Sequence, residues 1–262
     1  MKLLRNIFIN CLIYFLVIFT SASFVKAEDY ADQFAFVFNS SRNTNPSEFS
    51  LYGSYPLNQK VNLLHINANK VCTAVTQKHE VFGDEMISFP ITILRTLSKC
   101  EAPNQYSVAF FGKVSEYRIV SLKPVTDHKI INSLDRAIHN SQVLQSFNKA
   151  SQVTIPYNKS FPLTYFKPKV FQFSISKQEN YLISYEKNEK SAYGPKFVIF
   201  EKKPQILTGW CSYPYVHPFI LNQELYFESG SYCCDCGITV MELFKIKANQ
   251  VCFVHADGSE SD

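Results

Sequence analysis

Residues 170–185 read VFQFSISKQENYLISY, two short aromatic-rich runs, Val170–Ser176 and Tyr181–Tyr185, divided by a polar turn. Runs of this length and composition are strands. The pattern recurs at Phe197–Glu201, Phe219–Asn222, Leu225–Glu228, Thr239–Ile246 and Val251–Val254, so the chain from Ser151 onward reads as nearly all β. The alternative of an irregular β-propeller or meander over most of the chain arises from this strand spacing. The intervals are uneven, however, and no blade signature repeats. The acidic end, Ala256–Asp262, is expected to fray.

Working back toward the N-terminus, Phe34–Phe38, Val61–Ile66, Val71–Thr76 and Ile87–Leu97 read as strands, and Asn39–Asn58, rich in Ser, Asn, Pro and Gly, as a loop. Tyr106–Phe111 and Tyr117–Leu122 flank Gly112 and read as a hairpin. One helical pattern stands out. From Asp127 to Phe147 the apolar residues Ile131, Leu134, Ile138, Leu144 and Phe147 recur at helical spacing, and Thr126 or Asp127 can cap the start. The opposite stripe, His128, Asn132, Asp135 and His139, reads as a solvated face with an Asp135–His139 contact. The expected fold is α+β and β-rich: an N-terminal antiparallel sheet with one long amphipathic helix (residues 28–150), then a disulfide-braced all-β unit (residues 151–262). The alternative is that the two form one domain.

Residues 1–27 carry the order of a secretory signal peptide: Lys2 and Arg5, the apolar stretch Ile7–Phe19, then small residues ending at Val25-Lys26-Ala27. The apolar stretch is too short to favour a membrane-spanning helix. Cleavage after Ala27 is the expectation, with a membrane tether only if the segment stays uncut. Its removal takes three basic residues and no acid, leaving 23 basic against 22 acidic residues. The basic balance thus belongs largely to the targeting segment and gives no argument for nucleic-acid binding. Aromatic residues make up 15% of the chain, which excludes disorder on composition.

Export makes disulfides the default use of Cys72, Cys100, Cys211, Cys233, Cys234, Cys236 and Cys252. Cys72 and Cys100, isolated in the first half, pair most simply with each other. The other five cannot all pair, so one thiol is left over, and spacing does not fix the connectivity. Cys233, Cys234 and Cys236, with Cys252-x-x-His255 and His217 near Cys211, are also a mixture that zinc or copper accepts. Adjacent Cys233 and Cys234 suit a single ion poorly, so no metal or other cofactor is expected.

The chain has no nucleophile-elbow serine motif, no phosphate-binding glycine motif and no H-E-x-x-H. A cysteine nucleophile with His217 or His255 as base, or a pair of carboxylates meeting in three dimensions, keeps an exported hydrolase as the alternative function. The more suggestive segment is Trp210-Cys211-Ser212-Tyr213-Pro214-Tyr215-Val216-His217-Pro218. It reads as a proline-stiffened aromatic loop, and rigid aromatic side chains make contact surfaces at low entropy cost. Trp210, Tyr213, Tyr215 and His217 are therefore the candidate binding residues, although Trp210 also suits a core role over the cysteines. The expected function is a periplasmic or secreted binding module of the inhibitor or immunity type with a protein partner in the envelope or outside the cell, and no enzyme. A structural or adhesive surface protein is the third reading.

Overall fold

The structure is a computed structural model and describes residues 33–38, 48–83, 88–97, 100, 105–146, 163, 166–175, 178–186, 193–209, 212–232 and 238–260. The chain divides into two compact units. One comprises Glu28–Ser121 together with Tyr215–Asp262, and the other holds Leu122–Pro214. The boundary expected at residue 150 falls outside the described residues, and the chain passes between the units at 121/122 and 214/215. Residues 1–27, read from sequence as a targeting segment, also lie outside the described residues. Among those described, no helix is long and apolar enough to cross a membrane.

In the first unit, β1 (Phe34–Phe38), β2 (Glu48–Tyr52), β3 (Lys60–His65), β4 (Val71–Gly83), β5 (Ser88–Thr96) and β6 (Tyr106–Phe110) close into a barrel in the order β1-β2-β5-β4-β3-β6. Side chains alternate across the wall. Ala35, Phe49, Leu51, Val61, Leu63, Ala74, Leu94 and Ala109 share the inner cluster. Alternating small and large residues suit the narrow interior of a six-stranded barrel.

Thr76 and Thr92 hold the loop between β2 and β3. The Thr92 hydroxyl donates to the Gly53 carbonyl (2.8 Å) and accepts from the Tyr55 N–H (2.9 Å), which leaves its second lone pair for His79 Nδ1–H at 3.2 Å. The Thr76 hydroxyl donates to the Pro56 carbonyl (2.6 Å) and accepts from the Gln59 N–H (2.8 Å). Thr92→Val keeps the shape while orphaning these partners, so it is expected to cost about 2–3 kcal/mol in chemical denaturation, with Thr92→Ser retaining most of the stability.

The same unit contains a second sheet. β7 (Tyr117–Ile119), β13 (Ser212–Leu221), β14 (Glu224–Tyr232), β15 (Ile238–Lys247) and β16 (Gln250–Glu260) lie in the order β16-β15-β14-β13-β7. Phe219, Leu221, Tyr226, Leu243 and Val254 of this sheet pack with Phe34, Phe36, Leu64, Val108 and Phe110 on the outer wall of the barrel. The turns Asn222-Gln223 and Ala248-Asn249 each place two consecutive non-glycine residues at positive φ, the twist that tight hairpins require.

In the second unit, β8 (Lys123–Pro124), β9 (Lys167–Ile175), β10 (Gln178–Glu186), β11 (Tyr193–Phe200) and β12 (Lys203–Thr208) form a meander in the order β12-β11-β10-β9-β8. One face is covered by α1 (His128–His139), whose Ile138 joins Val170, Ile183, Tyr185, Phe197 and Ile199 in the core. The buried Tyr185 hydroxyl donates to Asp135 Oδ1 of this helix at 2.6 Å.

Several expectations are corrected. The fold is β-rich without the long amphipathic helix. Asp127 caps α1 as expected, accepting from the Lys129 N–H at 2.7 Å, but the helix ends at His139. Asn140 caps its end, and the Ser141 hydroxyl donates to the Ile138 carbonyl (2.6 Å) while accepting from the Leu144 N–H, so the pattern breaks into a second short segment at 142–146. The expected Asp135–His139 contact is present at 3.4 Å and His128 and Asn132 are exposed, but Asp135 and His139 are half-buried, because Tyr185 draws the carboxylate onto the sheet.

The propeller alternative also fails, since the N-terminal strands close as a barrel. The supposed loop Asn39–Asn58 contains β2. The supposed hairpin does not form, because β6 pairs with β1 and β3 whereas β7 pairs with β13. The acidic end is a strand to Glu260, with Asp257 Oδ2 accepting the Phe36 N–H at 3.0 Å. The expected Cys72–Cys100 disulfide braces the barrel, with Cα atoms 5.7 Å apart.

Burial pushes the Tyr185 phenol well above its ordinary value of 10, and its hydrogen bond to Asp135 raises it further. Burial also raises Tyr117, with the Glu228 charge adding to it, and the Tyr117 hydroxyl donates to the His65 carbonyl at 2.6 Å. A phenol raised on folding leaves the native state holding protons that the unfolded chain releases. Stability is therefore full below about pH 10 and falls above it, by about 1.4 kcal/mol per pH unit for each such tyrosine. Tyr185→Phe is expected to make the alkaline denaturation curve shallower.

Candidate functional site

The segment expected to be a loop, residues 210–218, is largely strand β13. Trp210 and Cys211 lie outside the described residues, as do Cys233, Cys234 and Cys236. Tyr213 is a residue of β13. Tyr215 and His217 lie two apart on this strand, on one face. Their rings stack at 5.3 Å between centroids and 21° between planes.

What fixes the pair is Glu228, on the neighbouring strand β14. Its side chain is buried, at 2% exposure, and its Oε2 lies 2.6 Å from His217 Nδ1. In the neutral imidazole, Nδ1–H donates to this carboxylate and Nε2 keeps its lone pair. No described residue hydrogen-bonds to Nε2. Tyr215 is 37% exposed, and its hydroxyl approaches the Met241 sulfur at 4.0 Å. The result is an exposed aromatic ring stacked on an imidazole that buried Glu228 holds from behind.

The edge of β13 bears on what this surface can present. β7 covers only Phe219–Leu221, and the Val120 N–H reaches the Pro218 carbonyl. On that edge no described strand pairs with β13 beyond that point. The backbone groups of Pro218 point to this edge, so those of Val216, Pro214 and Ser212 follow by alternation, and neither proline has an N–H to offer. An edge missing alternate donors is a poor template for strand addition. What this surface presents beyond Pro218 is side chains rather than a donor-rich strand edge.

The other sequence candidates separate. His255 Nε2 lies 2.9 Å from Asp257 Oδ2, and its ring stacks on Phe36 at 5.7 Å. It fastens β16 to β1 in the fold. Cys252 is a free thiol whose nearest hydrogen-bond partner is the Gln250 carbonyl at 3.9 Å. Among the described residues no group of three His, Cys, Asp or Glu side chains could hold a metal ion. Sequence reasoning missed Glu228; the only sign of it was an acid inside the apolar run Leu225-Tyr226-Phe227-Glu228. No family model, no curated protein and no solved structure matches this chain.

Proposed function

We propose that this chain is an exported protein-binding module of the inhibitor type that grips a single protein partner through Tyr215 and His217. The observation that carries the reading is the exposed Tyr215 ring immobilised on His217, which is itself held by buried Glu228. Order of this kind in a surface aromatic lowers the entropy cost of binding, and aromatic anchors supply most of the energy of protein interfaces. Export fits the Cys72–Cys100 disulfide, which an oxidising compartment favours.

The test is native purification from the periplasm or medium, followed by size-exclusion chromatography with light scattering. The wild-type protein is expected to co-elute with a partner at fixed stoichiometry. Tyr215→Ala is expected to weaken that complex by about 30-fold or more with unchanged circular dichroism. A wild-type protein that elutes alone, or a Tyr215→Ala variant that keeps its partner at full affinity, rejects the proposal.

A further inference from the structure

Charge is divided unevenly between the two compact units. Leu122–Pro214 holds 13 lysines and arginines against 6 acids, a net charge of +7, whereas Glu28–Ser121 together with Tyr215–Asp262 holds 10 against 16, a net charge of −6. The near-zero balance from Glu28 onward therefore conceals two poles of opposite sign. The acidic excess is steepest in Tyr215–Asp262, where 7 acids stand against Lys245 and Lys247, and Lys245 is buried and paired with Glu224. On the basic unit, α1 turns Ile131, Leu134 and Ile138 toward the sheet, so Lys129, Asn132 and Arg136, at helical spacing on the opposite side, are exposed. Lys123 is exposed on β8, the edge strand of that sheet. The ion pairs among the described residues of this unit are Lys169–Glu186 and Asp135–His139, which leaves the charges of Lys123, Lys129 and Arg136 to groups from outside. The first turn of α1 carries Lys129 and no acid, although the helix dipole favours acids there, so this cation is not placed for the helix's own stability.

We propose that the chain pairs with a second copy of itself as a closed two-fold dimer, the α1 surface of each copy's Leu122–Pro214 unit docking on the acidic unit of the other. Charge complementarity carries the inference: the second copy supplies the opposite charge in nearly equal amount, and a net charge near zero leaves little overall repulsion to hold two copies apart. Two-fold symmetry makes the basic-to-acidic contact twice and then closes, whereas a single head-to-tail contact would repeat into a growing chain. The attraction acts between exposed groups, so salt weakens it. It does not rest on the Tyr215 surface.

Sedimentation equilibrium of the full chain at about pH 7, from about 1 to about 200 μM protein in about 25 mM and about 300 mM sodium chloride, tests this directly. A monomer–dimer equilibrium is expected at the lower salt, with its Kd rising about tenfold or more at the higher. Two double variants then separate paired poles from net charge. Lys129→Glu with Arg136→Glu, and Lys60→Glu with Lys113→Glu, make the chain more negative by the same amount, but the first weakens the basic pole and the second strengthens the acidic one. Lys60 and Lys113 are exposed residues of the acidic unit. With circular dichroism unchanged, the first pair is expected to raise the dimer Kd about tenfold or more, and the second to leave it unchanged or lower it. The proposal is overturned by a monomer throughout the low-salt series, which would mean that the poles are spent within one chain. Association that salt does not weaken, assemblies beyond the dimer, or equal weakening by the two double variants overturns it as well.

Discussion

Truncating Phe34 to alanine is expected to lower the unfolding free energy by about 3–5 kcal/mol, more than the loss of a single buried hydrogen bond costs. Phe34 is essentially fully buried on the outer wall of the barrel. Its ring lies 4.9 Å from Phe110 of β6 and 5.5 Å from Tyr226 of β14. Loss of the ring therefore opens a cavity where the barrel wall meets the sheet of β7 and β13–β16, and close-packed neighbours collapse only partly into such a space. Urea denaturation measures the loss as a fall in midpoint, and Phe34→Leu should recover much of it. A loss below about 1 kcal/mol would mean that Phe34 does not join the two layers.

Removing the Cys72–Cys100 bridge ranks second. The cysteines are 28 residues apart in sequence, and a cross-link closing a loop of that size stabilises by about 3–4 kcal/mol in the chain-entropy model. Cys72 is also part of the barrel interior. The Cys72→Ala, Cys100→Ala double variant should lose that amount in non-reducing thermal unfolding, and the wild type under reductant should approach it. Cys252→Ala, at a free thiol, is the control and should change stability by less than about 0.5 kcal/mol.

Strand positions were legible wherever aromatic and β-branched residues cluster. β1 matches its expected limits, and β9, β10, β15 and β16 overlap the runs that announced them. What stayed hidden depends on partners far away in sequence. β2 is five residues in a Ser- and Asn-rich stretch, and its residues Phe49 and Leu51 are stabilised by the barrel interior rather than by local propensity. Tyr117–Ile119 looked like the return strand of a hairpin because its true neighbour, β13, begins beyond residue 211. The helix was overestimated because Leu144 and Phe147 preserve the apolar period across a break that Asn140 and Ser141 impose through hydrogen bonds. At the surface site, Tyr215 and His217 were visible as an aromatic cluster in one segment, but Glu228 joins them only through the folding of β14 beside β13.

The interruption of the first unit by Leu122–Pro214 has a bearing on how the chain assembles as it is made. The barrel strands are contiguous from Phe34 to Phe110, so the barrel can close as soon as that stretch is available. The strands that cover its outer wall, β13 to β16, are synthesised only after the whole intervening unit. Until then Phe34, Phe36, Val108 and Phe110 lack the cover that Phe219, Leu221, Tyr226, Leu243 and Val254 give them. Transiently bare apolar surface of this kind makes an unfinished chain prone to self-association. During that interval the growing protein depends on a chaperone, or on the speed of elongation, to keep its emerging copies apart.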